Sequence, residues 1–238
     1  MSQVYLIRHG QAGPRNRYDT LSDLGRKQAE HLGESLASSG LRFDRVLVGR
    51  LERQRLTAQA VRNAYQSAGV PFPEIEEVPE WDEFDLGHVY ERLADALAAD
   101  DPEFAAEYRA MVAQIDDPDA PVHRAHNNCD IAVVRAWVEE RYAYDGESWT
   151  GFRARVLRGL DALDDHQPGG RTAVFTSATP VGISVGHALG LDDAGLWRLA
   201  GVAYNSGVST LRASKGDRRL FSFNSVAHLR DSSAWTFR

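Results

Sequence analysis

A chain of 238 residues, 43% hydrophobic and 26% charged, has the composition of an ordinary globular protein, which excludes disordered, collagen-like, coiled-coil and membrane-embedded readings. The 27 Lys and Arg against 34 Asp and Glu leave a formal charge of -7, so the chain offers nucleic acid no broad positive field, and an anionic small substrate would need a local cluster of arginines. Cys129 is the sole cysteine, which rules out an intrachain disulfide and suits a reducing compartment. With no basic segment leading into a long apolar run at the start, and no apolar stretch of about 18 residues anywhere, a cytoplasmic protein without membrane contact is expected.

In chain order, Val4 to Ile7 reads as a buried strand, apolar on both faces and β-branched at its two ends. Ser22 is a good N-cap for a helix carrying Leu24, Gln28, Leu32 and Leu36, which Gly40 ends. "FDRVLVG", residues 43 to 49, supplies a second strand, and Glu52 to Ala68 a second helix stopped by Gly69 and Pro71. An extended piece lies near Ile75 to Val78. Residues 88 to 166 then turn rich in Ala, Glu, Asp and Arg, with helices expected over Tyr90 to Ala99, Pro102 to Ile115, Ile131 to Tyr142 and Ser148 to Leu163, and with "DDPDAPVHRAHNNCD" as a polar loop among them. This segment reads as a helical insertion in a single domain. The sheet resumes with "RTAVFTS" (171 to 177), a helix follows from about Pro180 to Leu189, and "GVSTLRA" and "RRLFSFN" form two last strands around a turn at Lys215, Gly216 and Asp217.

The pattern predicts an α/β fold, a three-layer α/β/α arrangement with a mostly parallel central sheet. In open sheets of this kind ligands bind beyond the carboxyl ends of the strands. Three strands end there in polar residues: Arg8, His9 and Gly10; Gly49 to Arg53; and Ser177, Ala178 and Thr179. A fourth candidate is the loop "EWDEFDLG" at 80 to 87, which carries several carboxylates.

Together these pieces resemble the histidine phosphatase superfamily, which includes the cofactor-dependent phosphoglycerate mutases. The likeness rests on "LIRHGQA", on Leu51-Glu52-Arg53 followed by Thr57-Ala58, on Glu83 four positions before Gly87, and on the strings "LSDLGRKQA" and "FNSVAHL". The resemblance implies that His9 is the nucleophile that becomes phosphohistidine, that Arg8 and Arg53 hold the phosphoryl oxygens with planar donor forks, and that Glu83 gives and later takes the proton. It implies no metal and no cofactor, and a small phosphorylated molecule as substrate. Substrate specificity would reside in the insertion.

The chain also departs from the family. The second histidine usually found after the "AVF" strand is replaced by Ala178. Thr179 as N-cap and Pro180 as first helical residue would leave a helix N-terminus to offer amide donors instead, with the Ser177 and Thr179 hydroxyls as further substrate-binding groups; the competing reading is that these hydroxyls only cap the helix. Gly49-Arg50 stands where the family has Ser-Pro, and Arg50 is expected to face solvent. Asn16 lies one residue too far from His9 to match a phosphate-binding asparagine. His123, His126, Cys129 and Asp130 offer metal-ligand types in one short loop but lack the paired spacing of a zinc site, so incidental loop composition is the preferred reading; the alternative is that the loop sits over the pocket and supplies the missing imidazole. His187 reads as packing, and His31, His88, His166 and His228 fit no pattern. The expected activity is hydrolysis of a phosphate monoester, with a phospho-ligand-binding pseudophosphatase and mutase-type phosphoryl transfer as alternatives.

Overall fold

The computed structural model describes residues 2–117, 120–123, 128–163, 169–214 and 217–237. Six strands, β1 (Ser2–Arg8), β2 (Arg45–Val48), β3 (Ile75–Glu77), β4 (Arg171–Thr176), β5 (Val208–Ser214) and β6 (Asp217–Ser225), form one sheet in the order β3-β2-β4-β1-β5-β6. The β3-β2, β2-β4 and β4-β1 pairings are parallel, whereas β5 runs antiparallel to both β1 and β6. The sheet is therefore mixed, with a parallel half that brings the carboxyl ends of β2, β4 and β1 side by side.

Helices α1 (Asp23–Ser38) and α2 (Glu52–Ser67) cover one face. By strand alternation Ile7, Val46, Val48, Ala173 and Phe175 all point to that face, where they pack with Leu32, Ala37, Phe43, Ala58, Val61 and Tyr65. The buried neighbours Leu6, Leu47 and Val174 point the other way. Helix α7 (Ala178–Ala188) lies against β1, β5 and β6, and α8 (Asp193–Val202) packs on α7. The sequence reading missed α8. Its signals are local, namely the Asp192 side chain accepting from Gly195 N (2.9 Å) and the buried pair Leu196 and Ala200 one turn apart. The close approach of α8 to α7 rests on Gly182, where a Cβ would stand 2.7 Å from Ala200 N.

The chain divides into two compact units: residues 2–13, 19–83 and 155–237, which carry the sheet, and residues 14–18 and 84–154. The second unit holds α3 (Leu86–Asp100), α4 (Pro102–Val112), α5 (Asn128–Val138) and the first part of α6 (Trp149–Asp161). Its core is aromatic: Phe84 stacks on Trp137 at 4.6 Å, and Trp149 and Phe152 pack against Trp137. Among the described residues no helix is long and apolar enough to cross a membrane.

The strand ends are positioned by one tight contact. Gly10, just past β1, meets Gly25 in the first turns of α1 so closely that a Cβ on Gly10 would lie 2.3 Å from Gly25 O, and one on Gly25 would lie 2.1 Å from Gln11 O. Ser22 anchors this turn as N-cap, its hydroxyl accepting from Gly25 N at 3.0 Å. We therefore expect Gly25→Ala to destabilise the fold by about 1–3 kcal/mol, because neither backbone can give way without moving the end of β1. Urea unfolding of the variant checks this, and an unchanged midpoint would contradict it.

Candidate active site

At the end of β1 the chain carries His9 into the interior, where it is only 2% exposed. Its backbone N–H donates to Thr176 O at the end of β4 (2.9 Å). Its ring is held by two contacts that settle where the proton sits. Nδ1 lies 2.7 Å from Gly10 O, which can only accept, so Nδ1 carries the hydrogen. Nε2 lies 3.1 Å from Arg53 Nε, which can only donate, so Nε2 carries the lone pair. Burial, with the positive charges of Arg53 and Arg8 adding to it, pushes the imidazole pKa well below its usual value. His9 is a neutral imidazole whose Nε2 lone pair accepts from the Arg53 guanidinium.

Arg53, one residue into α2, is buried and doubly tied: its Nη1 donates to Asp19 Oδ1 at 3.0 Å while Nε faces His9. Asp19 also caps α2, accepting from Glu52 N at 3.1 Å, so one carboxylate fixes both the helix start and the guanidinium. Arg8 is buried beside His9 in sequence, and its Nη1 donates to Ala203 O.

Glu83 comes from the loop after β3. That loop is held through its carbonyls: Arg155 Nη1 donates to Pro79 O (2.8 Å), Glu80 O (3.3 Å) and Asp82 O (3.1 Å), while Gln54 Nε2 and Thr176 Oγ1 both donate to Trp81 O. The loop delivers the Glu83 carboxylate to the start of α7, where Oε2 accepts from Thr179 N at 3.1 Å. This is the expected place for a carboxylate, because the first amides of a helix have no intrahelical acceptor.

A family model for the histidine phosphatase superfamily (branch 1) matches residues 4–123 and 122–226. The chain belongs to the histidine phosphatase superfamily. Solved structures agree in fold. YhfR of Bacillus stearothermophilus superimposes with a TM-score of 0.67 at 18% identity, covering 96% of this chain and 99% of its own. A mycobacterial glucosyl-3-phosphoglycerate phosphatase solved with inorganic phosphate gives 0.60 at 18%, covering 95% and 99%. A phosphoglycerate mutase from Bacillus anthracis gives 0.62 at 16%, covering 95% and 94%. No curated protein sequence matches the chain.

Against the superfamily pattern, the structure brings His9 together with Arg53, and Glu83 together with the α7 start, at neighbouring strand ends. The start of α7 corrects the sequence reading. The helix begins at Ala178 with Ser177 in the cap position, so Thr179 and Pro180 are its second and third residues. Proline is tolerated there because that amide has no partner within the helix anyway. The Ser177 hydroxyl makes no capping bond; it accepts from Gln54 Nε2 at 2.8 Å. Arg50 is 61% exposed along its side chain and pairs with Asp82 at 2.8 Å.

The loop with metal-ligand residue types is used otherwise. Asp130 is buried, forms a two-pronged ion pair with Arg15, and accepts from Tyr90 OH at 2.7 Å; burial, with the negative charge of Asp130 adding to it, raises the Tyr90 phenol far above its normal range. Burial likewise pushes the Cys129 thiol up. His126 and His166 lie outside the described residues, and among the described residues no group of three metal-binding side chains occurs. Sequence reasoning also missed Asp19, Gln54 and Arg155, which act on partners far away in the chain and leave no local signature.

A further buried histidine has a measurable consequence. His228 Nε2 shares a 2.8 Å hydrogen bond with Ser206 Oγ, and burial lowers its pKa from 6.5 to about 4. The unfolded chain therefore binds a proton at His228 between these values that the folded chain refuses, so stability present above pH 6.5 is lost as pH falls towards 4. The His228 share is about 3 kcal/mol. Urea titrations at pH 7 and pH 4.5 should show His228→Gln losing less stability than the natural chain; equal losses would refute the burial argument.

Proposed function

We propose that the chain is a phosphatase that hydrolyses a small phosphate monoester through a phosphohistidine at His9, without need of a metal. The observation that carries this reading is the fixed tautomer of His9, with Nδ1–H on Gly10 O and the Nε2 lone pair turned towards a guanidinium. As the phosphate enters, Arg53 Nε–H turns from Nε2 to a phosphoryl oxygen; Nε2 then attacks phosphorus, the phosphorus–oxygen bond to the alcohol breaks, and the leaving oxygen takes its electron pair and a proton from the Glu83 carboxyl. Water then attacks the phosphorus of phosphohistidine, its proton returns to Glu83, and the Nε2–phosphorus bond breaks to restore the neutral imidazole. Arg53 and Arg8 offer fork-shaped donors to the non-bridging oxygens, and the fully charged guanidinium matches the charge they carry.

The amide of Ala178, at the open end of α7, is the donor in place of the missing imidazole. Ala178 also favours a second reading, a phospho-ligand binder that has lost turnover. Kinetics with p-nitrophenyl phosphate in the presence of EDTA separates the two. On the phosphatase reading the natural chain turns over, His9→Ala abolishes the reaction, and Arg53→Ala slows it by roughly a hundred- to a thousandfold. Arg50→Ala, whose guanidinium lies on Asp82, changes little. Saturable phosphate binding by calorimetry without any turnover establishes the binder instead.

The acid role of Glu83 has its own signature. Glu83→Gln should slow hydrolysis of alkyl phosphates, whose leaving oxygen must be protonated, far more than that of nitrophenyl phosphate. Equal losses on both substrates remove Glu83 from proton transfer.

A further inference from the structure

The C-terminal segment is linked through buried side-chain amides to the two peptides that follow His9. The peptide joining His9 and Gly10 is held at each end: its carbonyl accepts from Ser206 N (3.1 Å) and Asn205 Nδ2 (3.4 Å), and its N–H donates to Thr57 Oγ1 (3.1 Å). The next peptide, joining Gly10 and Gln11, carries the carbonyl that accepts from His9 Nδ1, and its N–H donates to Gln28 Oε1 at 2.7 Å. Asn205 and Gln28 are both fully buried. Each side-chain amide has an oxygen end and a nitrogen end, and it supports its peptide only in one of its two orientations.

One hydroxyl bridges the two amides. Thr236 Oγ1 accepts from Gln28 Nε2 at 3.0 Å and donates to Asn205 Oδ1 at 2.9 Å. Gln28 Nε2 also donates to Ala234 O (2.7 Å), and Asn205 N donates to Thr236 O (2.7 Å), so the amides and the tail form one closed network. The tail is anchored from outside by Phe237 stacking on Tyr204 at 4.3 Å and by Trp235 Nε1 donating to Leu229 O at 3.1 Å.

We propose that Thr236 is a positioning residue for His9: by bridging the Gln28 and Asn205 amides it steadies the two peptides that set Gly10 O against Nδ1 and so keep the hydrogen there. The proposal rests on the reading of His9 as nucleophile for its effect on rate, and its effect on the ring is independent of that reading. A buried polar network of this kind is effective only while every member is satisfied, so loss of the central hydroxyl loosens both amides at once.

The test compares Thr236→Val, which keeps the shape and loses the hydroxyl, with Thr236→Ser, which keeps the hydroxyl. Nitrogen-15 spectra of the His9 ring in the full chain report the tautomer, and p-nitrophenyl phosphate kinetics report kcat and KM separately. Thr236→Val should mix the two tautomers at His9 and lower kcat by roughly ten- to a hundredfold with little change in KM, and Thr236→Ser should restore both. If Val is not accepted by the fold, Thr236→Ala takes its place. A single unchanged tautomer in a folded variant lacking the hydroxyl overturns the proposal. A mixed tautomer in a chain whose activity survives His9→Ala upholds the positioning role while refuting the nucleophile.

Discussion

An imidazole can attack phosphorus only through a nitrogen that carries no hydrogen, and the pair of contacts around His9 puts the hydrogen on Nδ1 and makes Nε2 the acceptor from Arg53. Gly10 O and Arg53 Nε can each play a single role, so the ring has no alternative tautomer that satisfies both. Burial beside two arginines then removes the charged form as well. Much of the surrounding structure serves this arrangement. The Gly10 and Gly25 contact sets where β1 stops, Thr57 on α2 holds the following peptide, and Asp19 holds the arginine that faces Nε2.

The second half of the site is built on a helix start. On the proposed reading the amides at the start of α7 stand in for the imidazole that the family resemblance leads one to expect at Ala178, and one of them, that of Thr179, holds Glu83. A backbone donor differs from an imidazole in that it neither gains nor loses a proton in ordinary pH ranges. It is also rigid, because α7 is packed between the sheet and α8. The loop that carries Glu83 has little regular structure of its own, and its fixed position comes from Arg155, Gln54 and Thr176 gripping successive carbonyls.

The parts of this architecture that were legible in the sequence are those encoded by neighbours in the chain. The apolar run ending at Arg8, the Ser22 cap and the spacing from Leu51 to Thr57 each announce an element within a few residues. The start of α7 was misjudged because Thr179-Pro180 looks like a better cap and first turn than Ser177-Ala178, and tertiary contacts with Gln54 and Glu83 decide the matter. Asp130 was read as incidental loop composition; it lies in the first turn of α5, and its use was hidden because its partners, Arg15 and Tyr90, are 115 and 40 residues away. Gln28 was read as one position on a helical face, and its role depends on residues more than 200 positions further on.

The central claim is that His9 carries the phosphoryl group during turnover. Its most direct test is to mix the chain with p-nitrophenyl phosphate labelled at phosphorus, quench in alkali within the first turnover, and map the label by peptide sequencing. The account predicts an acid-labile, alkali-stable phosphoryl group on the peptide containing His9 and on no other. Turnover without label at His9, or label on another residue, would contradict it.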